Sequence, residues 1–157
     1  MTTEYGAKGS EMGMENKFFC LVKYQVVVEE NFSSGEEPPV EATLKVDVFR
    51  AQDHVSERVH KVAEGNGPVN AIDKALRKAL ADFYPEIAKV RLVDYEVRKR
   101  NGDIGTEASV EVTVTSSDGT NTWVTRAISS NSIRASLFAL AESIEKELSH
   151  LFTTATA

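Results

Sequence analysis

The sequence contains one cysteine, Cys20, so no disulfide can close within the chain, and no His/Cys spacing of a metal site is present. That suits a reducing interior, and a cytoplasmic location is expected. No apolar run approaches the roughly 20 residues of a membrane span, and no secretory leader is visible. Positive charge is in the minority: 18 Lys and Arg stand against 24 Asp and Glu, for a formal net charge of −6 with no basic stripe. A nucleic-acid role is therefore not expected. Hydrolytic or acyl-transfer chemistry needs a nucleophile with a positioned base, and the only histidines are His54, His60 and His150. His150 falls at the end of a helix, where a cation complements the dipole, and His54 and His60 fall in or beside a strand, so all three read as surface residues. Cys20 sits in an apolar strand and reads as an inert buried thiol. No catalytic residue, metal or cofactor is expected in this chain.

The 157 residues fit one domain, and 41% hydrophobic with 27% charged content is ordinary for a globular chain. Residues 1–16, which hold all three methionines and show no apolar period, read as a flexible lead-in, a linker or a tag. Phe18 to Val28 is strand-like, and NFSSGEEPP at 31–39 is a loop. Ala42, Leu44, Val46 and Val48 alternate with Thr43, Lys45, Asp47 and Phe49, as in a half-buried strand. A weaker strand spans His54 to Val62. Val69, Ile72, Leu76, Leu80 and Phe83 line one face of a helix expected from Pro68 to Phe83, stopped by Tyr84-Pro85.

The pattern then restarts: strands at Leu92–Arg100, Ala108–Val114 and Thr122–Ile128, with turns at Asn101-Gly102 and Ser117–Gly119. A second helix, capped by Asn131 or Ser132, carries Ile133, Leu137, Leu140, Ile144, Leu148 and Leu151. Residues 153–157 are expected to fray. LVKYQV at 21–26 matches LVDYEV at 92–97, EATLKV at 41–46 matches EASVEV at 107–112, and Val69, Ala71, Ala75 and Leu76 match Ile133, Ala135, Ala139 and Leu140. The chain is thus a duplicated strand-strand-strand-helix unit, about 18–84 and 89–151, in one domain spanning 17–152. The expected class is α+β, two such units related by a pseudo-twofold with helices packed on antiparallel sheet.

One stretch stands out for binding. Gly65-Asn66-Gly67-Pro68 delivers the chain to a helix N-terminus, where backbone N–H groups can hold a carboxylate or phosphate. The glycines allow a tight turn with positive φ, and a plain strand-to-helix turn is the simpler account of the same residues. Asp94 beside Tyr95 offers a carboxylate and a phenol for opposite ends of a small zwitterion, or an ordinary pair on a strand surface. Trp123 reads as core, and the acidic pairs Glu29-Glu30 and Glu36-Glu37 as solvated.

Taken in order, GNGPVNAIDKALRKAL at 65–80, Tyr84-Pro85, LVDYEVR at 92–98, GTEASVEV at 105–112, SSDGTNTWVT at 116–125 and SIRASLFALAESI at 132–144 resemble the C-terminal regulatory domain of the 2-isopropylmalate and citramalate synthase family. The resemblance covers roughly residues 18–150 and is closer to the citramalate synthases. Ala127 departs from a common glycine, and Arg134 from a common acid. It implies an allosteric, homodimerising domain attached to a TIM barrel that condenses acetyl-CoA with a 2-oxo acid and carries the divalent metal. That barrel is absent from this sequence, so the chain alone is not expected to catalyse. The effector is isoleucine for the citramalate synthases and leucine for the 2-isopropylmalate synthases. The implied pocket, near the dimer interface, uses Gly65, Asn66, Gly67, Pro68, Val69, the strand Leu92 to Tyr95, Thr106, Glu107, Ala108, and Ile133 with Ala135. Within it, backbone N–H groups of 67–69 suit the effector carboxylate, Asp94 or Glu107 its ammonium, and Val69, Leu76, Leu92 and Tyr95 its side chain. A free-standing small enzyme or ligand carrier, and a purely structural dimerisation module, are the competing readings. Titration with isoleucine and leucine separates them.

Overall fold

A computed structural model describes residues 4–5, 17–50, 55–100, 102 and 104–155. The expectations for His54, for Asn101 and for nearly all of the lead-in lie outside the described residues. The strands are β1 (Glu4–Tyr5), β2 (Phe19–Val27), β3 (Val40–Phe49), β4 (Ser56–Gly65), β5 (Arg91–Lys99), β6 (Val110–Ser117) and β7 (Thr122–Ser129). The helices are α1 (Pro68–Leu80) and α2 (Ser132–Ala155), with short 3-10 helices at Pro85–Lys89 and Gly105–Glu107. β2-β3-β4 form one antiparallel sheet; β7-β6-β5 form the other, with β1 added parallel to β7. The two βββα units and their helix-on-sheet packing are as expected. β1 is an addition in a stretch that has no apolar period.

The boundaries follow local chemistry. α1 ends at Leu80, three residues short of the expected Phe83. The N–H groups of Phe83 and Tyr84 both turn back to the Leu80 carbonyl, and Pro85 then starts a 3-10 helix. Arg77 fixes that linker: it pairs with Asp73 on its own helix and donates to the Val90 carbonyl at 2.7 Å. α2 runs to Ala155, three residues into the segment expected to fray.

The duplication is visible in the backbone. Both first strands carry a bulge at the same place, Val22 in β2 and Val93 in β5. Opposite them, Tyr24 pairs with Leu44 and Tyr95 with Val114, while Val40 pairs with Gly65 and Val110 with Ser129. Leu44 therefore corresponds to Val114. The apparent match of residues 41–46 to 107–112 is out of register by four: Glu107 lies in a 3-10 helix, and β6 begins at Val110. An even slip leaves every side chain on the same face, so alternation cannot reveal it.

Val40, Ala42, Leu44, Val46 and Val48 bury one face of β3 against α1, which offers Ala71, Ile72, Ala75, Leu76, Ala79 and Leu80. α2 is different: it is buried almost all round from Ala135 to Leu148. One side meets its own sheet. Thr125 donates to the Ala139 carbonyl at 2.7 Å, Ser116 and Ser143 share a hydrogen bond of 2.5 Å, and the Trp123 indole donates to the Ser143 carbonyl at 3.0 Å. The other side meets the first unit, through Glu145 with Lys17 and Phe18 and through Phe152 with Phe18 and Tyr84. α2 is thus the shared centre of both halves, and α1 packs beside it.

Candidate functional site

In the turn that closes β4 onto α1, neither Gly65 nor Gly67 takes positive φ, contrary to expectation. Gly67 is the N-cap residue, with φ −171° and ψ 171°, extended backbone open to any residue. Gly65 is glycine for a steric reason. A Cβ there would stand 2.5 Å from both the Ala71 nitrogen and the Asn70 Oδ1. The turn folds so tightly over the first turn of α1 that the Asn66 N–H donates to Asn70 Oδ1 at 3.1 Å. Around Gly67, in contrast, a Cβ would meet nothing within 4 Å.

The two helix starts differ in how they are finished. At α2, Asn131 Oδ1 accepts the N–H groups of Ile133 and Arg134 at 3.0 and 3.2 Å, the side-chain cap that the sequence suggests. At α1 no side chain caps the helix, and no acidic residue lies in its first turn. Pro68 has no N–H to offer, and the first intrahelical bond is from Ala71 to the Gly67 carbonyl. The N–H groups of Val69 and Asn70 point out of the helix at its positive end, where an anion is favoured. Beside the turn lies an open hollow of about 440 Å³, lined by Gly65, Asn66, Asn70, Pro38, Pro39 and Lys74 together with the carboxylates Glu37 and Glu64; Val69 does not line it.

The remaining candidate residues divide by position. Leu92 is 40% exposed; Tyr95 is half-buried and shares a hydrogen bond of 2.7 Å with Ser136 of α2. Asp94 pairs with Thr115 and Tyr95 with Val114, on opposite faces of the sheet, so the two side chains cannot grip one small molecule. Thr106 and Glu107 are exposed on their 3-10 helix, and Ala108 is half-buried beside it. Ile133 is half-buried at the start of α2, whereas Leu76 and Ala135 are fully buried in the core of the chain. Within one chain, the turn and the Leu92–Tyr95 strand stay apart: neither β4 nor α1 packs to any extent on β5.

The reciprocal combination is assembled. A groove of about 510 Å³ runs between β2 and the start of α2, lined by Leu21 and Tyr24 on one side and by Ser129–Asn131, Leu137 and Phe138 on the other. By the duplication, Leu21 and Tyr24 correspond to Leu92 and Tyr95, and Ser129–Asn131 to Gly65–Gly67. The groove thereby sets the first strand of unit 1 opposite the start of the helix of unit 2. On the first strand of unit 2, Leu92 and Val97 lie 40% and 42% exposed.

No described cluster suggests catalysis. His60 is exposed on β4, and His150 is exposed near the end of α2. Burial raises the Cys20 thiol above its ordinary value, with the charges of Asp47 and Glu145 adding to it. Among the described residues no group of three or more His, Cys, Asp or Glu side chains could hold a metal ion, and no helix is long and apolar enough to cross a membrane.

The model of a protein family described as the LeuA allosteric (dimerisation) domain matches residues 3–148. An (R)-citramalate synthase of Geobacter sulfurreducens is 40% identical over 137 residues, covering 87% of this chain and 25% of that protein. One of Aquifex aeolicus is 38% identical over 136 residues, covering 87% and 24%. One of Synechocystis sp. is 48% identical over 137 residues, covering 85% and 24%. The chain spans about a quarter of the length of these curated relatives.

Proposed function

The chain belongs to the LeuA allosteric (dimerisation) domain family, and on that premise we propose that it is the feedback-regulatory part of a citramalate synthase. In this reading it binds isoleucine, dimerises, and inhibits a catalytic barrel that condenses acetyl-CoA with pyruvate. The barrel lies outside this chain, so the chain alone does not catalyse, and the enzyme works in the cytoplasm. The shared name of the relatives favours this branch over the leucine-regulated 2-isopropylmalate synthases.

The observation that carries the site is the unfinished start of α1. Its counterpart is closed by the Asn131 carboxamide, and α1 has no such group. An effector carboxylate takes that place, on the N–H groups of Val69 and Asn70. The intrachain groove supplies the pattern for the remaining wall. There, the first strand of one unit faces the strand-to-helix turn of the other. Repeated between two copies, the same geometry sets the Gly65–Val69 turn of one copy against Leu92 and Tyr95 of the second. It also covers the exposed side of β5. Asp94 faces away from Tyr95, so Glu107 or a main-chain carbonyl is left for the ammonium. Isoleucine and leucine differ only in branch position, so shape alone separates them by about 1–3 kcal/mol.

A melting scan with isoleucine, leucine, valine and no additive tests the reading. Ligand at a hundredfold excess over its dissociation constant stabilises the folded state by about 2.7 kcal/mol. Isoleucine is expected to give the largest shift; no shift with any branched amino acid removes the effector reading.

A further inference from the structure

Glu145 sits on the side of α2 that faces the first unit and is 7% exposed. Its Oε1 accepts the main-chain N–H of Lys17 at 2.6 Å and that of Phe18 at 3.1 Å. Its Oε2 is buried with no hydrogen-bond partner among the described residues. The contact ties the helix of one unit to the residues leading into β2 of the other. It lies beside a cluster of three rings, Phe18, Tyr84 and Phe152, with centroids 5.7–5.8 Å apart. A carboxylate held this way is half-satisfied. Two N–H donors favour its charge, and an orphaned oxygen in a buried setting opposes it. The neutral carboxyl removes the buried charge while still accepting through Oε1, with its own O–H left as the unpaired group.

We propose that Glu145 is a proton-operated clamp: neutral, it holds the Lys17–Phe18 segment against α2, and loss of its proton favours release of that segment and of the carboxylate into water. The clamp is a property of this chain and does not depend on the effector reading. Burial pushes the Glu145 carboxyl from its ordinary 4.5 up to about 7, against the opposing pull of the Lys17 and Phe18 N–H groups. The titratable groups around it are Lys17 and Cys20 from β2 and its approach, Tyr84 after α1, and Glu142 on α2 itself. Burial raises both the Cys20 thiol and the Tyr84 phenol above their ordinary values, so neither titrates near neutrality.

Linkage sets the direction. In the open form the solvated carboxyl returns to its ordinary 4.5, and in the closed form it stays near 7. Between those values each rise of one pH unit increases the open fraction by several-fold, with about tenfold as the ceiling, and above 7 the increase levels off. Acidification tightens the joint; approach to neutral pH loosens it.

The test is amide hydrogen exchange at Lys17 and Phe18, followed by NMR from pH 5.5 to 8 and corrected for intrinsic exchange. The 13C shift of the Glu145 carboxyl is recorded on the same samples. The expected result is an opening equilibrium that rises about sevenfold from pH 5.5 to 6.5 and flattens above 7, with a Glu145 midpoint near 7. Glu145→Gln, which keeps the acceptor and cannot titrate, is expected to give a flat profile. A Glu145 midpoint at or below 5, or a flat profile in the unsubstituted chain, overturns the clamp. So does the same slope in Glu145→Gln. The first two observations need no variant to fold.

Discussion

The two glycines of the turn separate folding from binding, because the structure gives them opposite reasons to be glycine. A Cβ on Gly65 would overlap the Ala71 nitrogen and Asn70 Oδ1, each at 2.5 Å, and one of the two is backbone. Gly65→Ala must therefore push the turn off α1, a strain of about 1–3 kcal/mol. For a domain of this length that is a fall in Tm of roughly 2–12 °C. Gly67 is extended, with open space around its Cβ position. Gly67→Ala should leave the fold unharmed or stabilise it by about 0.4–1 kcal/mol through the unfolded chain. Binding is affected instead: the new methyl stands at the N-cap, in the open space over the helix start that the effector carboxylate would enter. Hydrogen bonds to a charged group contribute about 1.5–3 kcal/mol, so their disturbance weakens isoleucine by roughly 10- to 100-fold. Differential scanning fluorimetry and calorimetric titration on both variants provide the comparison. A Gly67→Ala chain that melts as early as Gly65→Ala refutes the turn geometry. One that melts normally and binds isoleucine unchanged refutes the site.

Asn131→Ala removes the cap of α2 and should lower stability by about 1 kcal/mol, read as a drop in Tm of a few degrees; no change would mean that the cap is idle. Tyr95→Phe loses the hydrogen bond to Ser136, and a decrease of about 1 kcal/mol is expected in urea unfolding, with the slope of the transition unaltered. Stability should also depend on Glu145. Its carboxyl is raised in the folded state from 4.5 to about 7, so its contribution is fully present below about pH 4.5 and lost as pH rises through 7. The loss is at most about 3 kcal/mol, and Glu145→Gln should remove that part of the pH dependence of Tm. The chain alone should release no thiol from acetyl-CoA with pyruvate and a divalent metal above a heat-killed control.

Much of the fold was legible because its signals are local. The alternation of Ala42 to Val48 against Thr43 to Phe49 marks a half-buried strand wherever it occurs, and Tyr84-Pro85 stops a helix by sterics alone. What the sequence hides depends on partners distant in the chain. The register of the duplicated strands is one case, since a slip of four preserves every face. Gly65 is another: its glycine answers to Ala71 and Asn70 across a turn, and neither conformational preference nor composition records that contact. Asp94 and Tyr95 look like a binding pair because they are adjacent, and a strand separates adjacent side chains. Nothing in the sequence singles out Glu145; its role follows only from the enclosure of α2 by both units. The turn, the cap at Asn131 and the first-strand residues were recognisable. Their arrangement was not, because in one chain only half of the reciprocal pairing is made.

The composite effector site is tested most directly by complementation. Gly67→Ala obstructs the site at the turn while leaving the turn folded, and Leu92→Glu disables the facing strand at a position 40% exposed. Each variant is titrated with isoleucine alone, then after the two have been mixed in equal amounts and allowed to exchange subunits, with the unsubstituted chain as reference. The expected result is binding in the reference, little in either variant, and recovery in the mixture of about a quarter of the sites. Half of the dimers are then mixed, and each of those holds one intact site. A mixture that binds no more than its components, beside a reference that binds, contradicts a site shared between two copies.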